Sequence, residues 1–511
     1  MSTMQIAYIL LSLASLLLLT QCTTVGKPMR HDPEKPLPGA KDGAKPAAMD
    51  AWYVESKATA GGKPYSCSFV EFDGRGDFID FKQYRAAWGK VRDLGEKDRL
   101  LLVQYCHGWK NNSQSGDVVE FNSFLRLLAN SPDIQRQGFR VHGVYLAWRG
   151  NVFKPAVNLQ SEYARNLRAD FGDQDIVNPK HHRRLPLFTW VGEQLSYWGR
   201  KKAAEADVAG APLARAVFAC ANVAKKRSEQ NRVFVMGHSM GALLLEKSVG
   251  QAIVGQLAAE YPWFDKAAVS KVNPTPFDLM LFVNSAAPST HSKQLGDVLW
   301  GHRQALKKMN PVPSHADAPL IMSVTSEADS ATGKIHPLGN LLAGLSPSLQ
   351  RRHTDVLTDG SRDEKNREIP SGSLHQSYYY RRTPGHNPLL VDHWVVPELA
   401  PSRATPCDTC AGVLQDNLRL DEGLGDAELF FTTPKNAQSG VKAWRVAEEV
   451  PSHAKKDWER VKGLLPLDRQ SNYWTIRCPK ELIGGHNDIW SAQAMEMYAA
   501  LYRLAVWQSR H

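Results

Sequence analysis

The five residues Gly237-His238-Ser239-Met240-Gly241 set a serine between two glycines, directly after an apolar run at 232–236 (RVFVM) and directly before a stretch of helical spacing at 240–254. Such a G-x-S-x-G pattern is only moderately specific alone, and the bland alternative is an ordinary glycine-rich turn. Between a strand and a helix it reads as a nucleophile elbow, a turn so tight that the neighbours of the nucleophile must be small. It would present the Ser239 hydroxyl at a helix N-terminus, where the dipole favours developing negative charge.

A serine hydroxyl is a poor nucleophile until a base removes its proton. The leading candidate is His486, in Gly484-Gly485-His486-Asn487-Asp488, between a last strand and a terminal helix. His386 and His393 are the alternatives, more simply read as lining the site or holding the segment around them. A carboxylate should orient the imidazole. Asp329 is preferred to Glu327 within Ser326-Glu327-Ala328-Asp329-Ser330, just past an apolar run. An oxyanion needs two backbone N–H donors. One is assigned to Met240 and the other to Trp109, in His107-Gly108-Trp109, where Gly108 lets the loop come close and His107 braces it. The chemistry of this set is acyl transfer onto and off a serine, and it requires no metal and no organic cofactor.

These residues need elements to carry them. Strand-like runs occur at 68–72, 99–105, 140–148, 232–236, 278–284, 319–325 and 474–477. Helical spacing occurs at 81–92, 118–128, 213–226, 240–254 and 491–507. Short apolar runs bounded by turn residues are what strands buried on both faces look like. Their alternation with helices predicts an α/β fold with a mostly parallel central sheet and helices on both faces. Between 325 and 474 the pattern dissolves, which predicts an insertion lying over the sheet. Aromatic residues there and in an irregular stretch at about 150–210, such as Tyr378–Tyr380, Trp190, Tyr197 and Trp198, suit either a pocket cap or ordinary core.

The chain has 511 residues, 43% of them hydrophobic and 22% charged. That composition argues against wholesale disorder, a fibre and a multi-span membrane protein. The formal net charge of +10 suits anionic surfaces or substrates, but no block of like charges indicates a nucleic-acid-binding arm. The apolar run 6–20 is shorter than a comfortable spanning helix and suits an export signal. Cys22 follows it in Leu19-Thr20-Gln21-Cys22, which resembles a lipoprotein lipobox, although Gln21 stands where a small residue is usual and no basic residue precedes the run. Lipidation at Cys22 and an uncleaved signal anchor are both open. Residues 23–50, rich in Pro, Gly, Lys and Ala, read as a flexible tether. With Cys22 lipidated, Cys67, Cys106, Cys220, Cys407, Cys410 and Cys478 remain, enough for disulfides in an oxidising compartment. The single Cys407-Asp408-Thr409-Cys410 is weak evidence for zinc, lacking a second half.

The order Ser239, Asp329, His486 is that of α/β-hydrolases. More narrowly, the chain resembles uncharacterised bacterial and fungal members that carry an HGW-K-x-N loop, a Tyr-x-x-Trp-Arg-Gly stretch, a GHSxG elbow and a TSExDxAT acid loop. Here these read His107–Asn112, Tyr145–Gly150, Gly237–Gly241 and Thr325–Thr332. The resemblance covers roughly residues 65–345 and resumes weakly near His386, His393 and His486. It implies the α/β-hydrolase fold over 51–511, with large insertions at about 150–210 and 345–470, after a signal at 1–22. It also implies serine-hydrolase chemistry without a substrate, since one scaffold hosts many reactions. The expected function is that of a membrane-tethered or secreted cell-envelope esterase acting on a small-molecule or lipid ester. The alternatives are a non-catalytic binding protein on the same scaffold and an acyltransferase using the same three side chains.

Overall fold

A computed structural model of the chain describes residues 28–36, 45, 50–56, 64–109, 111–150, 201, 204–260, 275–308, 312, 318–336, 382–398, 418–419, 428–432, 443–447, 450–455 and 471–508. In chain order the elements are β1 (Tyr53–Glu55), β2 (Ser66–Glu71), α1 (Phe81–Lys97), β3 (Arg99–Cys106), α2 (Gly116–Asn130), α3 (Pro132–Arg136) and β4 (Phe139–Ala147). Then come α4 (Ala211–Arg227), β5 (Arg232–His238), α5 (Met240–Glu260), β6 (Leu279–Val283), α6 (Ser289–Lys307) and β7 (Ile321–Ser326). The rest are β8 (His393–Glu398), β9 (Leu418–Arg419), β10 (Glu428–Thr432), β11 (Ala443–Ala447), β12 (Tyr473–Cys478) and α7 (Ala492–Gln508).

The strands form one sheet in the order β1-β2-β4-β3-β5-β6-β7-β12-β8-β11-β10-β9. Every pairing from β2 through β8 is parallel, and the pairings at both outer edges are antiparallel. The chain is therefore α/β with a mostly parallel central sheet. Its apolar runs are continuous because both faces are covered. In β3, Leu101, Val103 and Tyr105 enter one core with α2 and α7, while Leu100, Leu102 and Cys106 enter a second core with α1, α4, α5 and α6. Alternate residues of a strand point to opposite faces, so an apolar residue is needed at nearly every position.

Two expectations are corrected. Residues 28–31, inside the stretch expected to be a flexible tether, are docked on the body. Arg30 is buried; its guanidinium donates to the Ser113 and Ala51 carbonyls and lies over the Phe69 ring. The Met29 and Arg30 amides donate to the Glu71 carboxylate. A buried guanidinium costs too much to desolvate unless its donors are met, so this contact holds the segment down. The second correction concerns 345–470, expected to lie over the sheet. Its described strands β8, β11, β10 and β9 instead continue the sheet beyond β12. β12 would otherwise be an open parallel edge; β8 pairs with it at Ile476–His393 and Arg477–Trp394, and β11 in turn pairs with β8.

Among the described residues, no helix is long and apolar enough to cross a membrane, no group of His, Cys, Asp and Glu is arranged to hold a metal ion, and Cys67, Cys106, Cys220 and Cys478 are buried free thiols. The signal at 1–22, Cys22, Trp190, Tyr197, Trp198, Tyr378–Tyr380, Cys407 and Cys410 lie outside the described residues.

Helix α5 is anchored by a buried carboxylate. Glu246 accepts hydrogen bonds from Ser285, Ser292 and Tyr473. Burial nevertheless pushes its carboxyl up from 4.5 to about 7, against the lowering effect of those donors. A group whose folded pKa is raised contributes stability below its unfolded pKa and loses it as pH rises through the folded value. The loss therefore falls between about pH 4.5 and 7, on the order of 3 kcal/mol at 1.36 kcal/mol per unit. Glu246→Gln keeps the shape without the charge. Denaturant titrations at pH 5 and pH 7.5 are expected to show a smaller drop in stability for the variant than for the parent. An equal drop in both would show that this carboxyl does not titrate in that window.

Candidate active site

Five neighbouring parallel strands, β3, β5, β6, β7 and β12, end at Cys106, His238, Val283, Ser326 and Cys478. The candidate residues lie in the loops that follow these ends, which is where open parallel sheets carry their ligands. Ser239 is a single residue between β5 and α5, with φ +53. That is the left-handed region, costly for a side chain with a Cβ, and such strain concentrates at functional sites. Backbone bonds impose it: the Ser239 N–H donates to the Val283 carbonyl at 3.0 Å, and the Ala286 N–H donates to the Ser239 carbonyl at 3.1 Å.

The flanking glycines are required by approach. A Cβ on Gly241 would fall 2.1 Å from the Cys106 carbonyl oxygen and 2.4 Å from that of His107. A Cβ on Gly237 would fall 2.8 Å from Cα of Ala242. The start of α5 thus rests directly on the backbone leaving β3, and no side chain fits between them.

Ser239 Oγ lies 2.7 Å from His486 Nε2, although 247 residues separate them. His486 Nδ1 lies 3.0 Å from Asp329 Oδ2. A proton on Nδ1 donated to the carboxylate leaves Nε2 as an acceptor for the Ser239 hydroxyl proton. The Asp329 side chain is fully buried. Burial pushes its carboxyl up, but the charge of His486, the bond from its ring and the Thr332 hydroxyl and amide donors outweigh this and bring it down to about 2. The structure thus brings Ser239, His486 and Asp329 into one hydrogen-bonded chain.

The other candidates fall elsewhere. Glu327 Oε1 is bonded to His453 Nε2 at 2.7 Å, on the outer side of the acid loop. His393 is bonded to Asp392 at 2.8 Å and stacks on Trp474 with ring centroids 4.1 Å apart. His386 lies against the backbone of Gly333, on the turn that follows Asp329. It packs on the acid loop and makes no hydrogen bond to Ser239.

Trp109 closes the bend that follows β3, and Met240 is the first residue of α5. The first N–H groups of a helix have no acceptor within it. Gly108 comes so near the elbow that a Cβ there would lie 3.2 Å from the Ser239 Cβ. His107 holds this bend. Its Nδ1–H donates to the Gly108 carbonyl at 2.8 Å, its Nε2 accepts from the Trp148 N–H at 3.2 Å, and the Trp148 indole donates to the His107 carbonyl at 2.8 Å. Burial lowers the His107 pKa to about 4, so the ring stays neutral near pH 7.

Three supports escaped the sequence reading. His238 Nε2 donates to the His486 carbonyl at 2.8 Å. Asn284, just after β6, donates to the Gly485 and His486 carbonyls. The half-buried Asp117 of α2 accepts from Tyr105, Tyr145 and Trp490, tying the segment after His486 to the neighbouring helix. Only His238 carried a signal, through its place inside the elbow; Asn284 and Asp117 acquire their roles from partners distant in the chain.

No family model matches the chain, and comparisons with curated proteins and with solved structures return no match.

Proposed function

We propose that the chain is a serine hydrolase of the α/β-hydrolase type that cleaves a carboxylic ester through an acyl-enzyme on Ser239. The observation that carries this reading is the continuous chain Ser239 Oγ, His486 Nε2, His486 Nδ1, Asp329 Oδ2, at 2.7 and 3.0 Å. Ser239 Oγ attacks the ester carbonyl while His486 Nε2 takes its proton. The negative charge forming on the carbonyl oxygen is met by the Met240 and Trp109 amides. Collapse of the tetrahedral intermediate breaks the bond to the alcohol oxygen, which receives the proton from His486. Water, deprotonated by the same imidazole, then attacks the acyl-enzyme; the acid leaves and the proton returns to Ser239. Asp329 stays ionised throughout and holds the ring in the productive tautomer.

Attachment to a membrane through the 6–20 run or a lipid on Cys22 completes the proposal. Arg30 docks beside Glu71 and Ser113, at the carboxyl end of the sheet that also carries Ser239. The chain from Cys22 to Arg30 spans at most about 30 Å when extended. An anchor at Cys22 would keep the Ser239 end of the sheet close to the bilayer, which favours a lipid-borne ester as substrate. Incubation of the purified chain with a fluorophosphonate, followed by peptide mapping, tests the chemistry. Covalent modification of Ser239 alone is expected; an unmodified Ser239 would favour a binding role on the same scaffold.

A further inference from the structure

Asn284 is hydrogen-bonded to the segments that lead to Asp329 and to His486, and it directly follows the residue that accepts the Ser239 N–H. It follows β6, is fully buried and has φ +46. The residue just before it, Val283, accepts the Ser239 N–H at 3.0 Å. Its own N–H donates to the Val324 carbonyl of β7 at 2.8 Å. Its side-chain oxygen accepts the Ser326 N–H at 2.9 Å, at the start of the loop that carries Asp329. Its side-chain nitrogen donates to the carbonyls of Gly485 and His486 at 3.2 and 3.1 Å. An amide side chain offers two N–H donors and a carbonyl acceptor, and here each is engaged.

We infer that Asn284 is a positioning residue that sets His486 in register with both Ser239 and Asp329. The inference rests on the proposed hydrolase reading. The backbone carbonyl of His486 accepts from two sides, from Asn284 and from His238 Nε2 at 2.8 Å. That fixes the peptide from which the imidazole projects. The same Asn284 side chain holds Ser326, whose carbonyl in turn accepts the Asp329 N–H at 3.1 Å. Base and acid loops are thereby referenced to one amide. Asparagine suits the place twice over: it tolerates the left-handed backbone better than most residues, and it carries donor and acceptor on one short stem. Aspartate would keep the acceptor and lose the donors, setting a carboxylate against two carbonyl oxygens.

Two variants test this. Asn284→Gly retains a backbone free to adopt positive φ and removes the three side-chain bonds. Asn284→Asp retains size and the bond to Ser326. Turnover of a soluble short-chain p-nitrophenyl ester is measured per active site, with sites counted by fluorophosphonate titration at completion. For both variants kcat per titrated site is expected to fall by about 10²-fold, the cost of an ångström-scale misplacement. KM is expected to stay within about twofold, since only the catalytic geometry is disturbed. The rate of Ser239 labelling should fall in parallel while the final labelled fraction stays complete. A residue that only supports folding would instead lower the number of titratable sites and leave kcat per site at the parent value. That result, or failure of both variants to fold, overturns the inference. A parent protein that neither labels nor turns over ester overturns the hydrolase reading itself, and so is distinguishable from failure at Asn284.

Discussion

Replacing Ser239 by Ala is expected to lower kcat on a soluble short-chain ester by at least about 10³-fold while leaving the fold intact. The substitution removes the attacking oxygen and the 2.7 Å contact with His486. It keeps the Cβ, so the strained backbone at φ +53 and the close approach of Gly108 are unchanged. The backbone bonds from Ser239 to Val283 and from Ala286 to Ser239 do not involve the side chain and persist. Thermal melting is therefore expected to stay within a few degrees of the parent, on the scale of an ordinary sub-kcal/mol change. Any residual rate would come from substrate binding and oxyanion stabilisation. Hydrolysis by Ser239→Ala at the parent rate would exclude the acyl-enzyme mechanism.

Asp329→Asn is expected to cost about 10⁴-fold in kcat, through a change in hydrogen-bond direction more than in shape. The carboxylate accepts from His486 Nδ1, and from the Thr332 hydroxyl and amide. An amide that keeps its oxygen on the Ala331 and Thr332 N–H groups presents its N–H₂ to His486 Nδ1 and the Thr332 hydroxyl. The imidazole then carries its proton on Nε2, facing Ser239, and cannot accept the serine proton. The parent carboxyl, held down to about 2, is ionised across neutral and mildly acidic pH. Its contribution to stability is present above the unfolded value of 3.8 and is lost as pH falls through about 2. Steady-state rates of Asp329→Asn against the parent at pH 8 check the loss. A variant within tenfold of the parent would mean that the imidazole is oriented without Asp329, and Glu327 is already committed to His453.

The part of the candidate site that is legible in the sequence is the part that a few adjacent residues carry. The elbow is local: Gly237 and Gly241 are each within two residues of Ser239, and the strand and helix abut it. Asp329 and Glu327 both follow the same apolar run, two residues apart. What separates them in the structure is that Thr332 and His486 meet one carboxylate, while His453 meets the other. For the base, three histidines competed on loop context alone. His486 is distinguished by its 2.7 Å contact across 247 residues, which no local pattern encodes.

Helix α6 and strands β8 to β11 went unread for a related reason. β8 (HWVVPE) contains a proline and a histidine, and its apolar residues are too few for a periodic signal. It is a strand because β12 and β11 lie on either side of it. The docking of Arg30 was equally hidden. A lone arginine in a Pro- and Lys-rich stretch reads as solvated until the Ser113 and Ala51 carbonyls are placed around it.

Composition and spacing by themselves settled the class: short apolar runs alternating with helical stretches can bury themselves only as a parallel sheet covered on both faces. They also settled the shape of the serine's turn, because the glycines needed there are its immediate neighbours. Only the tertiary structure decided which histidine faces Ser239 and which carboxylate is bonded to that histidine, and that Asn284 joins their loops. Those choices depend on the order of strands in the sheet, which sets distant loops side by side through hydrogen bonds between residues hundreds of positions apart.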